Sequence, residues 1–317
     1  MTARAPVPLA VVGGYLGAGK TTLLNRLLAN AEGRRITVLV NDFGEINIDA
    51  ALIRARSDDV IQLENGCICC SIGGRLADAL LEIAGRPQRP DLLVIEASGV
   101  SDPQRIAQIG LLDPAFRLNG VVVAVDVAGV RDSLQDPLVG DMVRRQIAGA
   151  SAVVLTKADL AAPEDQAAVA RLVGDLAPRA TVLTADHGEV PWTVFADVAP
   201  HMAPGAPLLR GGGWQSASAL HAGIRTLSYQ TDLAFDKPRL RQALKGLPVR
   251  LLRAKGVVRL AGEDGAHEVH LVGGRLRISR WEEAPQRSSL VFIGAFGDEG
   301  ETAVRAMVDE AVAWAVN

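Results

Sequence analysis

The sequence predicts an α/β domain with a mostly parallel sheet, followed by a smaller α+β domain, and three observations carry that expectation. The first 200 residues alternate short, branched apolar runs with amphipathic stretches, the rhythm of strand, helix, strand. From Ala199 to Gly223 the rhythm lapses into Pro- and Gly-rich segments, His201-Met-Ala-Pro-Gly-Ala-Pro and Gly211-Gly-Gly. Beyond it the order changes to strand, helix, four further strands and a last helix. A chain of 317 residues is long enough for both parts. The expected division is therefore 1–200, a linker over 201–222, and 223–317.

In the first part, strands are expected at Pro8–Gly13, Ile36–Val40, Leu92–Glu96, Val121–Asp126, Ala152–Thr156 and Thr181–Thr184. Each is a short run of mostly branched apolar residues with little polar alternation, as in a sheet buried on both faces. Helical patterns lie at Lys20–Asn30, Arg75–Ala84 and Glu164–Leu176. In the second part a strand is expected at Ile224–Thr231. A helix follows that Asp236 can cap and Pro238 can open, with Leu240, Leu244 and Leu247 on one face. Strands at Val249–Leu260, Glu268–Val272, Leu276–Trp281 and Leu290–Phe296 and a helix near Glu301–Val316 complete a largely antiparallel arrangement.

Composition sets limits on function. Hydrophobic residues at 49% and charged residues at 22% exclude disordered, collagen-like and coiled-coil chains. There is no apolar run of membrane-spanning length and no secretion signal, so a cytoplasmic protein without a membrane partner is expected. The net charge of −3 argues against nucleic acid. Residues 1–200 carry −6 and residues 201–317 carry +3, from counts of 18 basic and 24 acidic against 15 and 12. The asymmetry reads as attraction between the halves, as an acidic partner for the second, or as an ordinary solvated surface. Lys237 to Arg259 concentrates eight basic residues with no acidic one, either a docking face or an ordinary basic surface.

Gly14-Tyr-Leu-Gly-Ala-Gly19-Lys20-Thr21 has the spacing of a phosphate-binding loop and falls between the first strand and the first helix. Gly14, Gly17 and Gly19 let consecutive backbone N–H groups face phosphate, and the helix N-terminus adds partial positive charge. Lys20 would reach the β and γ phosphates, Thr21 would ligate Mg²⁺, and Thr22 continues the cradle. Glu96 ends a buried strand where a magnesium-directed carboxylate is needed, and Gly99 would bring its N–H to the γ-phosphate. Thr156-Lys157-Ala-Asp159 follows another strand; Asp159 can accept from guanine N1 and N2 while the Lys157 stem lies along the base, which favours GTP and GDP over adenine nucleotides.

The only cysteines, Cys67, Cys69 and Cys70, fall within four residues, which excludes a disulfide scaffold. Three adjacent thiols suit a soft metal such as Zn²⁺ or Cu⁺, with a redox pair or buried packing as alternatives. Asn41-Asp42-Phe43-Gly44-Glu45 follows the second strand, the place of a loop that senses the γ-phosphate. Asp42 and Glu45 would serve magnesium, the attacking water or a transported metal; a polar turn is the alternative.

Taken together, Gly14–Thr22, Asn41–Glu45 with Asp49, Gly66-Cys-Ile-Cys-Cys70, Glu96-Ala-Ser-Gly99, Thr156-Lys-Ala-Asp159 and Arg253-Ala-Lys-Gly256 resemble the CobW-type family of P-loop GTPases and metallochaperones. The resemblance implies a GTPase domain before a smaller α+β domain, with GTP hydrolysis coupled to delivery of a transition metal. The intrinsic rate is expected to be slow because no arginine stands out as a finger, which a partner or second subunit could supply. Zinc comes first, with Co²⁺ or another such ion as alternatives. It implies that Cys69 and Glu45 share the metal, helped by Cys67 and Cys70, and that a client metalloprotein or cofactor-synthesis enzyme receives it. A homodimer stays open. Three features depart from the family pattern: Asp42 replaces a glutamate, Thr156 replaces the asparagine of the guanine motif, and no histidine-rich stretch is present. His267 and His270, three apart on a strand, would face opposite ways, and His187, His201 and His221 read as solvated. The competing functions are a phosphotransferase acting on a small molecule and a non-enzymatic metal buffer.

Overall fold

The computed structural model describes residues 5–41, 60–62, 72–196, 213–218, 225–281 and 287–313. The chain divides into two compact units, the first formed by Met1–Pro178 with Val182–Asp197 and the second by Arg179–Thr181 with Val198–Asn317.

The first unit is built on a seven-stranded sheet in the order β3-β2-β4-β1-β5-β6-β7. The strands are β1 (Val7–Gly13), β2 (Ile36–Asn41), β3 (Val60–Gln62), β4 (Leu92–Ala97), β5 (Phe116–Asp126), β6 (Ala152–Thr156) and β7 (Thr181–Thr184). β1 runs parallel to β4 and β5, β2 parallel to β3 and β4, and β5 parallel to β6. Every residue of β4 is buried and so are all but one of β1, which is why the sequence shows continuous apolar runs there and no alternation. Helices α1 (Lys20–Ala29), α2 (Ile72–Gly85), α3 (Pro103–Gly110), α4 (Val130–Gln135), α5 (Gly140–Ala148) and α6 (Pro163–Leu176) connect the strands. In α1 the buried set Leu23, Leu24, Leu27 and Leu28 follows the helical period.

β5 begins five residues before the expected Val121, because Phe116 and Leu118 alternate inward while a register shift opposite Leu9 and Ala10 absorbs the polar residues. Asn119, buried there, donates from Nδ2 to Phe195 O at 3.3 Å. Helices α3, α4 and α5 were not expected from sequence. They are six to nine residues long, too short for a period to stand out. The start of α3 is nevertheless written locally, since the Asp102 carboxylate accepts from Gln104 N at 2.9 Å ahead of Pro103 at the first position.

The second unit is a six-stranded antiparallel sheet, β12-β11-β10-β13-β9-β8. It comprises β8 (Gly213–Ser218), β9 (Arg225–Thr231), β10 (Arg250–Val258), β11 (Ala266–Val272), β12 (Arg275–Trp281) and β13 (Ser288–Ala295), with helices α7 (Lys237–Gly246) and α8 (Asp298–Asp309). Leu227, Tyr229, Phe235, Leu240, Leu244, Leu290, Phe292, Val304 and Val308 form its core. Asp236 caps α7 as expected, accepting from Arg239 N at 2.9 Å.

Two expectations are corrected. Residues 201–222 are not all linker: Gly213–Ser218 is an edge strand in register with β9, Trp214 opposite Tyr229. Its signal was a single aromatic behind three glycines, and the strand is held by what that ring meets. Trp214 lies 4.4 Å from the Tyr229 ring and 6.1 Å from Phe292, and its Nε1 donates to Asp309 at 3.1 Å. The last helix starts earlier than Glu301 and ends at Asp309, not Val316. Asp298, Glu299 and Glu301 favour its N-terminus, and Val312 beyond it pairs with Phe235. The basic segment also divides: Arg239, Arg241 and Lys245 are exposed on α7, Lys237 pairs with Glu263 at 2.8 Å, and Arg253 is buried in β10.

Burial and the nearby Asp309 charge push the Tyr229 phenol up to about 12 from 10.0. A raised acid stabilises the fold below the unfolded value and loses that contribution as pH rises through the folded one, here between about 10 and 12. Urea unfolding of the wild type should therefore weaken across that window by roughly 1–2 kcal/mol more than that of Tyr229→Phe. Equal losses in the two proteins would contradict the assignment.

Candidate functional site: a phosphate cradle at the carboxyl edge of the parallel sheet

β1 delivers the chain into the glycine-rich loop, and the loop delivers it into α1. Gly14, Gly17 and Gly19 have φ of 133°, 72° and 86°, backbone conformations open to residues without a side chain. Gly14 lies against β5 so closely that a Cβ would sit 2.4 Å from Ala124 O. Ala18 N donates to Tyr15 O at 3.1 Å and tightens the curl. Lys20 opens α1, is 9% exposed, and donates from Nζ to Gly14 O at 3.0 Å and Tyr15 O at 3.3 Å. Its ammonium thus lies folded over the loop at the positive end of the helix. Thr21 is half-buried and Thr22 exposed.

Strand order brings the carboxylate to this loop. Glu96 on β4 is in register with Val12 on β1 and with Val40 on β2, and Val40 in turn with Gln62 on β3. Glu96 is 3% exposed. Past it the chain turns at Ser98–Ser101, with Ser101 N donating to Ser98 O at 2.9 Å and the two serine hydroxyls 2.6 Å apart. Gly99 abuts the phosphate loop; a Cβ there would meet Leu16 N at 2.8 Å.

A cavity of about 270 Å³ is enclosed by Gly17, Gly19, Lys20, Thr21, Thr22, Glu96, Ser98, Gly99 and Lys157, with Leu16 and Val40. An ammonium, hydroxyls, a buried carboxylate and glycine backbone thus converge on one space at the carboxyl ends of the parallel strands, where open α/β sheets bind ligands. Thr21 and Glu96 present oxygen donors, which fit Mg²⁺.

Thr156 is buried beneath Gly19, with Oγ1 2.8 Å from Ala18 O and 3.2 Å from Val125 O. The residue that departs from the guanine motif is therefore a strut between the phosphate loop and the sheet. Lys157 follows in the left-handed region at φ 55°, its Nζ 2.8 Å from Asp126 Oδ2. Asp159 is exposed in a short turn and is not among the residues around the cavity. Beyond β7, Arg26 of α1 donates from Nε to His187 O at 3.2 Å and pairs with Glu189 at 3.4 Å, fastening that loop beside Thr22.

Asp42, Glu45, Cys67, Cys69 and Cys70 lie outside the described residues, as do Asp49, His201 and His221. Among the described residues no three His, Cys, Asp or Glu side chains gather as a metal site. His267 is buried on β11 against Glu263 at 3.0 Å, and His187 is exposed. Sequence reasoning passed over three residues that fasten segments at or beside the cavity: Asp126 on Lys157, Gln146 on Gly99 O, and Arg26 on His187 O. Asp126 ends an apolar strand, a readable signal; the other two belong to helices whose polar positions carry no pattern.

Fold and cradle together define a P-loop nucleotide-binding protein. The chain belongs to the CobW/HypB/UreG family of P-loop GTPases: residues 8–184 match the family model for its nucleotide-binding domain, and residues 224–312 match that of the cobalamin synthesis protein cobW C-terminal domain. It is 28% identical to the zinc chaperone YjiA of Escherichia coli, over 91% of this chain and 94% of that one. It is 33% identical to the zinc chaperone CobW of Pseudomonas aeruginosa, over 62% and 60% of the two chains. Among solved structures, that of Zn(II)-bound YjiA GTPase from E. coli covers 97% of this chain and 99% of its own, at 23% identity and a TM-score of 0.47. Among the described residues no helix is long and apolar enough to cross a membrane.

Proposed function

We propose that the protein is a cytoplasmic GTP-hydrolysing metallochaperone that binds a transition metal, zinc first, on the Cys67-Ile-Cys69-Cys70 segment with Glu45. It would deliver the metal to a client metalloprotein or cofactor-synthesis enzyme under nucleotide control. Lys20 takes the β and γ phosphates, Thr21 and Glu96 hold Mg²⁺, Gly99 N–H meets the γ-phosphate, and Lys157 with Asp159 recognises guanine. Asp42 serves the attacking water or the metal. Magnesium, when bound, supplies charge neutralisation between the phosphates. No arginine lines the cavity among the described residues, in keeping with a slow intrinsic rate.

The observation that carries this reading is a single row across the sheet. Val12, Glu96, Val40 and Gln62 are consecutive partners, so the strand feeding the phosphate loop and the strand feeding the cysteines end at the same edge. Three strand spacings separate the row's ends, about 14 Å. A change of phosphate state at Glu96–Gly99 would reach β3 across that row, the strand from which the chain runs on toward Cys67.

Metal titration of the reduced protein, alone, with GDP and with a non-hydrolysable GTP analogue, tests the reading. Zn²⁺ affinity should differ between the two nucleotide states, and Zn²⁺ should change analogue affinity by the same factor. Cys69→Ser should weaken Zn²⁺ by at least about tenfold while leaving GDP affinity unchanged. Zinc binding indifferent to nucleotide would point to a metal buffer, and phosphate release that requires a small acceptor would point to a phosphotransferase.

A further inference from the structure

Gln146 sits on α5, 2% exposed, with Val143 and Ile147 of the same helix anchored in the core. Its carboxamide nitrogen has two N–H groups and places both on the turn after β4. Nε2 donates to Gly99 O at 3.1 Å and to Ser101 O at 2.8 Å. A third bond, Ser101 N to Ser98 O at 2.9 Å, holds the Ser98–Gly99 peptide from within the turn. In a trans peptide the N–H points opposite to the C=O, so turning the Ser98 carbonyl into the turn turns Gly99 N–H out of it. Rotating that N–H away would reorient the next peptide, whose carbonyl, Gly99 O, Gln146 holds. Because the amide is buried, a lost carbonyl partner is not readily replaced by water, and the two bonds are broken only at a cost.

We propose that Gln146 is a positioning residue that locks the Ser98–Ser101 turn with Gly99 N–H presented to the cavity, and so sets the preference for guanosine triphosphate over diphosphate. The inference rests on the proposed meeting of Gly99 N–H and γ-phosphate. Gln146 touches no nucleotide; it acts through the turn. Its hydrogen bonds cross 47 and 45 residues of sequence, which couples α5 to the phosphate-sensing edge.

The test measures GDP and non-hydrolysable GTP analogue affinities of the full chain with Mg²⁺. Gln146→Met keeps the shape and removes both donors. It should keep GDP affinity within about twofold and lose about tenfold in analogue affinity. Gln146→Glu supplies a second readout. Burial beside two carbonyl oxygens raises its carboxyl pKa, so the protonated form can donate once while the ionised form repels. Its analogue preference should therefore decline as pH rises, whereas the wild-type preference should stay level over the same range. Equal loss for GDP and analogue in Gln146→Met would mark a merely structural role and overturn the proposal, as would wild-type preference in both variants. If Gln146→Met does not fold, the pH dependence of Gln146→Glu decides alone. Gly99→Ala separates the inference from its premise. If that substitution leaves the analogue preference intact, the Gly99 reading fails. If it removes the preference while the Gln146 variants retain theirs, only the Gln146 assignment fails.

Discussion

Lys20→Ala is expected to lower GTP turnover by at least about a hundredfold, the scale of removing one charge-stabilising donor from a transition state. Lys20 is only 9% exposed where loop, helix N-terminus and cavity meet, and two loop carbonyls accept from its ammonium. It is the only cation besides Lys157 among the described residues around that space. Lys157 is paired with Asp126 at 2.8 Å, so its charge is already engaged away from the loop. The loss should be specific to chemistry and phosphate affinity. Removing two modest hydrogen bonds costs the fold about 1–2 kcal/mol, so unfolding in urea should stay cooperative at a slightly lower midpoint. Turnover within about threefold of wild type would remove Lys20 from the phosphates and return the protein to the metal-buffer reading.

Gly14→Ala carries the second large effect, and here both fold and function should suffer. The residue combines a φ of 133° with a space that a Cβ would share with Ala124 O at 2.4 Å. The obstacle is backbone of β5, where Ala124 is in register with Val154 of β6 just past the last β1 pair at Val123, so it cannot swing aside as a side chain would. Strain and overlap together should destabilise the first unit by about 3 kcal/mol or more and abolish GDP binding. Gly17→Ala is the internal comparison. At φ 72° it is strained too, but nothing lies within 4 Å of its Cβ, so a loss of only about 1 kcal/mol is expected. Similar stabilities for the two variants would show that β5 yields at Gly14, contrary to this account.

Much of the nucleotide site was legible in the sequence because its requirements are local. A tight strand-to-helix turn needs glycine at stated offsets, and a sheet buried on both faces needs an apolar run. Hence β1, the loop and α1 read directly, as did Glu96 at the end of its strand. The Asp236 cap was equally plain, since a side chain three residues from its partner is a short-range choice. The short helices α3 to α5 and the edge strand β8 were not legible. Their apolar positions are too few to show a period, and they are held by distant groups, as Trp214 is by Tyr229 and Asp309.

Thr156 shows the division most clearly. In sequence it is a departure that weakens the guanine motif; in the fold its hydroxyl reaches Ala18, 138 residues away, and ties the phosphate loop down. Glu96 is similar: the sequence put a carboxylate at a strand end, while only the order β3-β2-β4-β1-β5 set it between the strands leading to the phosphate loop and to the cysteines. The sequence by itself determined the strands, the glycine loop and the residue types at the strand ends, through backbone conformations and side-chain faces that act over a few positions. The tertiary structure decided which of them meet, and recruited Gln146 and Asp126 to hold them. Strand order and buried side-chain hydrogen bonds follow from packing across the whole sheet, which leaves no periodic trace along the chain.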